Sequence, residues 1–479
     1  MDHWSRRFTL PALALAMFAV ASSASDKVAG ERREYHSPGG ITETCIALEK
    51  MPGGNYSDAD TAREKALCEL DFYAADVALC PKLRSTSPGT FVYRIDTDRY
   101  TGQQAGFERD ICPRGELLPA EAEGSPASFK VTMNDRETSA TFSTASLLYY
   151  HFSRYFDTSI RVPVAVYRSM DREAHAARVS ARGLQGTAGQ RSLKMIHAAW
   201  QVLADAEQQP AHYPATSELF TSDLSQIYGV MLRIHGKRFG AEINGTRKSG
   251  WGVGQNNDFQ RTAPFLALRS ELPLPQAIAA GIEEAGKDPD LRKAMPDTPS
   301  TAQMHYWMQG LTEITLLDFI FSQQDRIGNI DYEDIWRWAD SDGVHSSDSR
   351  PSGDAATMAR AFRRIRLNDN DAGGRARYVN YTRKTGMLEK IRHYNAGTYR
   401  RLMQLNSDFS KRGTLFNYLR DSYGLTDRQL ESIVTNTRDA AGILRASCEA
   451  GKLRFDLDPA ASLAGQAPGD GGIDCAGDT

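Results

Sequence analysis

A chain of 479 residues is long enough to bury a full core, as one large two-lobed domain or two to three ordinary ones. Its 57 Lys and Arg nearly balance 60 Asp and Glu, for a formal net charge of −3, so no basic excess would hold a nucleic-acid backbone globally. Past the N-terminus no stretch approaches the roughly 20 apolar residues of a bilayer-spanning helix, which argues against an integral membrane span.

In chain order, Arg6 and Arg7 precede an apolar run over residues 8–20 and small residues at 21–24, the layout of a secretory signal peptide over residues 1–24. The string SRRFTL also resembles a twin-arginine signal, so either export route stays open. The mature protein is expected in a periplasm or outside the cell. Residues 25–40 read as a polar leader, with packing from about Ile41 onward, inside a cysteine-containing segment over 25–119. The six cysteines match no zinc signature and permit fifteen pairings. We take Cys45 with Cys68 and Cys80 with Cys112 as local pairs. Cys448 and Cys475 then close the C-terminal end, unless either is free or reaches back to the N-terminal segment.

Residues 119–126 read as a loop or lobe boundary. SFKVTM, residues 128–133, alternates like a strand. Leu148, Phe152, Tyr155 and Phe156 recur at helical spacing, and VPVAVYR, residues 162–168, reads as a further strand. Residues 243–257 read as a loop or hairpin whose GWGVG string is too weak to name a phosphate cradle. Pro299 opens a helix carrying Met304, Trp307, Met308 and Leu311 toward Phe321. From 386 to 447 the pattern is again helical, with a capping box at Thr426 and Gln429, and residues 459–479 form a loose tail tethered at Cys475.

Two acidic turns carry the chemistry. LLDFIFSQQDRIGNIDYED, residues 316–334, ends an apolar helix on Gln324, Asp325, Arg326 and Asn329, and IRLNDNDAGG, residues 365–374, runs a short strand into Asp369, Asn370 and Asp371. Phosphoryl transfer needs a carboxylate for the acceptor proton, carboxylate and amide oxygens for a metal, and a lysine on the phosphates. Asp325, then Asn329 and Asp369, then Lys130 supply these types, and oxygen ligands suit magnesium or manganese. The plain alternatives are a helix cap or surface ion pair at Asp325 and Arg326, and an ordinary turn at residues 369–374. Arg360, Arg363, Arg364, Arg366, Arg375, Arg377, Arg383 and Lys384 form a local basic excess, either an acid-binding patch or a solvated face neutralised by other segments. Residues 340–343 read as a turn rather than a calcium loop, His151 as a packed core histidine, and Asn55, Asn244 and Asn380 as glycosylation sequons. No HExxH, GxSxG or Walker string occurs.

QQDRIGN followed by NDNDAGG resembles the Asp-Arg and Asp-Asn-Gly motifs of the secretory-pathway kinases, the Golgi casein kinase and Four-jointed group. It is more distantly similar to HipA and the phosphatidylinositol kinases. SFKVTM, the helix ending HFSRYF and VPVAVYR look like that family's lysine strand, following helix and Val-Pro strand. The resemblance implies an α+β, atypical two-lobed kinase-like fold: a small mixed N-lobe over about 120–235, a mainly helical C-lobe over about 236–455, and a tail over 456–479. It implies ATP with Mg or Mn, and a protein or glycan acceptor. By the motifs, Asp325 would be the base, Lys130 and Arg326 would meet the nucleotide, and Asp369, Asn329 and Asp371 would meet the metal, Asp371 competing with Asp369. The family's helix carries a glutamate facing the lysine, but residues 138–172 hold no glutamate and Ser146 stands where it would be expected, so the lysine's usual partner is missing. A catalytically inactive kinase-like binding module and an unrelated helical periplasmic binding protein are the alternatives.

Overall fold

The computed structural model describes residues 28–100, 104–115, 117–133, 141–213, 218–233, 236–375, 378–466 and 472–475. The expected signal peptide lies outside them. Seven strands form one antiparallel sheet: β1 (Gly30–His36), β2 (Thr42–Leu48), β3 (Val77–Pro81), β4 (Gly89–Ile95), β5 (Ala122–Val131), β6 (Ala165–Asp171) and β7 (Gln226–Arg233). Their order across the sheet is β1-β2-β6-β7-β5-β4-β3. A second sheet holds β8 (Lys237–Arg238), β9 (Ile330–Asp340), β10 (Gly343–Ser347) and β11 (Arg360–Leu367), in the order β10-β9-β11 with β8 also on β9. The fold is mixed, with antiparallel sheets and many helices.

Several expectations shift. Residues 30–36, read as leader, are an edge strand, because β1 pairs in register with β2 from Gly30–Leu48 to His36–Thr42. One sheet draws on both sides of residue 119, with β1 to β4 before it and β5 to β7 after it, and residue 119 itself lies in the short helix Leu118–Glu121. The strand expected at 162–168 starts at Ala165: Pro163 lacks an N–H for the ladder, and Arg161 instead bridges Arg366 of β11. Within 243–257 the second half is helical, Val253–Phe259. The tail is ordered at Pro459–Leu463, where the Asp458 side chain caps a short helix. Asn244 is buried, its side-chain amide donating to Phe239 and Ile330 carbonyls, so it is closed to glycosylation.

The helix Thr144–Tyr155 is buried at nearly every position rather than along one stripe, and packs on β6, β7 and the turn at 370–372. His151 is buried there against Tyr56, as a packed histidine should be. The helix Thr301–Ile320 is capped by Ser300, which accepts from Gln303 N at 3.1 Å, and is also buried on all sides. It runs against β11 and the helices Ala263–Leu268 and Asp427–Glu449, the last opened by the expected Thr426–Gln429 box. Disulfides join Cys45–Cys68, Cys80–Cys112 and Cys448–Cys475, the pairing taken from the sequence. Among the described residues no helix is long and apolar enough to cross a membrane.

Candidate active site

Four distant segments meet at one end of the large sheet. Lys130 sits on β5 with Gly89 of β4 across from it on one side and Val230 of β7 on the other. The β3–β4 hairpin, residues 82–89, is closed by Lys82 N donating to Gly89 O at 2.9 Å, which hangs the hydroxyl-rich loop beside that lysine. Opposite, the buried Thr301–Ile320 helix stops at Phe321, and Ser322, at φ 52°, reverses the chain into Asp325. Gln323 Oε1 then accepts from Asp325 N at 3.0 Å. The fourth segment is the turn after β11, where Asp369 adopts the left-handed conformation (φ 51°, ψ 42°) that aspartate tolerates better than most residues. Gly374, at φ +81°, closes this turn so tightly that a Cβ there would stand 2.8 Å from Phe142.

Arg326 was expected to meet the nucleotide. It instead lies beneath the site, 4 % exposed, with its guanidinium fully committed. It forks onto buried Asp318 at 3.0 Å, donates to Asn368 O at 2.9 Å and to Asn370 Oδ1 at 2.9 Å. Tyr149 also donates to Asp318, at 2.7 Å. Arg326 thus ties the two acidic turns together, and burial, which alone would lower its pKa, is overridden by Asp318, which raises it.

Above that tie is a cavity of about 260 Å³ lined by Lys82, Lys130, Asp325, Asn329, Asp369 and Asp371, with the 84–89 loop on its rim. Lys130 Nζ donates to Asp369 Oδ1 and Asp371 Oδ1, both at 2.8 Å. These two aspartates are the lysine's partners. Ser146 is buried in the helix and orients no lysine among the described contacts. Burial would depress Lys130, but the two carboxylates outweigh it and hold the ammonium charged. Lys130, conversely, holds Asp369 well below the usual carboxylate range. Asp325 is pushed up by burial first and by the Asp369 charge second, while the neighbouring Trp251 indole opposes the rise. Burial and then the neighbouring Lys130 bring Lys82 down to about 7.

Asn329, expected as a metal ligand, lines the cavity, but both ends of its amide are engaged. Its Nδ2 donates to Asp325 O at 2.8 Å, and its Oδ1 accepts from Arg238 Nη1 at 2.6 Å. Arg238 also stands 4.0 Å from Asp369 Oδ2. Asp369 and Asp371 already converge on one cation, Lys130, as a pair of hard oxygen donors. That chemistry fits magnesium or manganese, which take one or two carboxylates and complete their shell with phosphate and water. Among the described residues no group of three or more His, Cys, Asp or Glu forms a metal cage.

Sequence reasoning passed over Lys82, Arg238 and Trp251. Trp251 is 62 % exposed, its ring edge-on to Tyr381 at 5.4 Å, on a turn where a Cβ at Gly252 (φ +72°) would meet the Tyr381 hydroxyl at 2.9 Å. The basic excess around β11 is largely neutralised by other segments: Arg363 pairs with Glu242, Arg364 and Arg366 with Glu333, and Arg383 with Asp439. Arg377 lies outside the described residues.

No family model matches this chain, and no curated protein matches it. Among solved structures, the crystal structure of the golgi casein kinase is similar over 85 % of this chain and 82 % of that one, at 10 % identity and a TM-score of 0.41. At that distance the likeness assigns neither an activity nor a residue's role.

Proposed function

We propose that this chain is an exported phosphotransferase of the kinase type, with a small sheet-bearing lobe over a mainly helical one, moving the γ-phosphate of ATP to a hydroxyl of a protein or glycan. The observation that carries this reading is the convergence of Lys82, Lys130, Asp325, Asp369 and Asp371, from four separate segments, on one cavity. Lys82, Lys130 and the 84–89 hairpin would receive the phosphates. Asp325, its pKa raised, would take the acceptor's proton as the hydroxyl oxygen bonds to the γ-phosphorus and the bond to the bridging oxygen of ADP breaks. Asp371 and Asp369 would hold magnesium or manganese, which supplies charge neutralisation to the phosphates. Trp251 would present a flat surface to the acceptor beside Asp325.

Purified protein with labelled ATP and manganese, offered protein and glycan acceptors, tests this. Transfer should fall about 10²- to 10⁴-fold in Asp325→Ala, and Asp371→Ala should lose it together with metal dependence. A wild type that labels no acceptor sinks the enzyme reading. The missing helix glutamate favours a second reading, a nucleotide-binding module without catalysis, whose signature is thermal stabilisation by nucleotide with no transfer.

A further inference from the structure

A second cavity, of about 270 Å³, shares no lining residue with the first. It lies between the helix Asp58–Cys68, the end of the helix Thr144–Tyr155, the 161–164 segment, and β7, β9 and β11. Its walls combine two chemistries. Leu67, Val162, Pro163 and Val164 supply an apolar side, while Arg63, Arg154, Arg161, Arg233 and Arg366 bring guanidinium groups to the same space.

Those guanidiniums are not matched by carboxylates. Arg154 is spent on Asp60 through a fork at 2.9 and 3.0 Å, with Arg63 a further 4.0 Å from the same carboxylate. Glu333 is shared between Arg364 and Arg366, the latter at 3.1 Å, and Asp348, a largely exposed side chain, lies 3.8 Å from Arg364. Arg161 forms no salt bridge among the described residues, and Arg233 turns its guanidinium to the Ser125 carbonyl. Five arginines, Arg63, Arg154, Arg161, Arg364 and Arg366, therefore face three carboxylates, Asp60, Glu333 and Asp348. Burial lowers Arg161 and Arg366 first; Glu333 opposes it at both, and repulsion from Arg364 and Arg63 adds to the lowering. Guanidinium keeps its charge under such pressure, so the surplus remains as positive potential within the cavity.

We propose that this cavity binds a small organic molecule bearing a phosphate or sulfate monoester, the oxyanion held by Arg63 and Arg161 and the organic body against Val162–Val164. Planar guanidinium forks match tetrahedral oxyanions in bidentate fashion, and the apolar wall gives the site more than a lone ion needs. A volume near the lower end of small-molecule pockets suits a sugar-sized ligand. The inference does not depend on phosphotransfer at the other cavity.

Glucose 6-phosphate, glucose 6-sulfate, inorganic phosphate and glucose serve as probes, in calorimetry and thermal unfolding of the full chain. Both esters should bind and raise the unfolding midpoint, the dianionic phosphate ester more tightly; glucose should do neither. Affinity for both should weaken about tenfold or more in Arg63→Gln/Arg161→Gln and survive in Lys130→Met, which alters only the first cavity. Inorganic phosphate binding more weakly than the ester supports the apolar wall's part. Binding lost in Lys130→Met but kept in the double variant overturns the proposal, as does equal binding of glucose. If the double variant does not fold, phenylglyoxal modification of the wild type decides. Glucose 6-phosphate should protect Arg63 and Arg161 from the reagent, and unchanged modification at both refutes the site.

Discussion

Two cavities of nearly equal size, about 260 and 270 Å³, lie in one molecule and treat charge in opposite ways. In the first, the acids answer the central cations: Lys130 is gripped by Asp369 and Asp371, and Arg238 leans on Asp331 and Asp369. In the second, the arginines outnumber their acids, and burial adds to their repulsion. A cavity whose charge closes on itself has little net pull on a bare polyanion. It suits a phosphate chain that arrives with its own dication and must leave again after losing a group. A cavity with surplus positive charge holds an anion unaided.

The first cavity keeps its internal balance only while its two acidic turns stay in register, and that depends on Arg326. Arg326→Leu, which strands Asp318 and releases Asn368 and Asn370, should lower stability by about 3–5 kcal/mol, read by denaturant unfolding. A loss below 1 kcal/mol would mean that the tie beneath the site is incidental.

Next in size is a pH effect at Lys82. Burial and Lys130 depress it to about 7, so in the folded protein it is charged below that pH and neutral above it. Between about 7 and the usual lysine value the unfolded chain holds a proton that the folded one lacks, so stability rises with pH across that window. Bound phosphates favour the charged amine. ATP affinity should therefore weaken as pH rises from 7 to 9, with proton uptake on binding. Lys82→Met should flatten both dependences; a wild type whose affinity ignores pH would detach Lys82 from the phosphates.

The smallest effect belongs to Trp251. Its indole opposes the rise of the Asp325 pKa, so in Trp251→Ala the acid limb of the transfer profile should move to higher pH. The acceptor KM should rise several-fold at unchanged nucleotide KM. A shift in nucleotide KM alone would place Trp251 on the wrong substrate.

What was legible in the sequence depended on how local its cause was. The Thr301–Ile320 helix followed from apolar spacing, the Asp427–Glu449 helix from its capping box, and the disulfides from proximity along the chain. Lys130, Asp325, Asp369 and Asp371 were legible as a set because each stands at the end of an ordered element. Lys82 was not, because its role comes from the pairing of β4 with β5, a register that no short pattern specifies. Arg238 lies on a two-residue strand too short for any periodic signal. Arg326 was readable as a residue beside Asp325 but not as to direction: which way a side chain leaves a turn is set by Asp318, eight residues back and buried. The arginine cavity was invisible for the same reason, its members coming from five separate elements.

The Lys130 ion pairs join residues 239 and 241 positions apart. Loop closure over such a span is entropically costly, and the contact requires both segments to be present. A nascent chain therefore carries no assembled cavity until residue 371 has emerged, and fragments ending earlier leave the lysine strand without its acidic partners. Time spent unfolded during synthesis would be time without an assembled cavity.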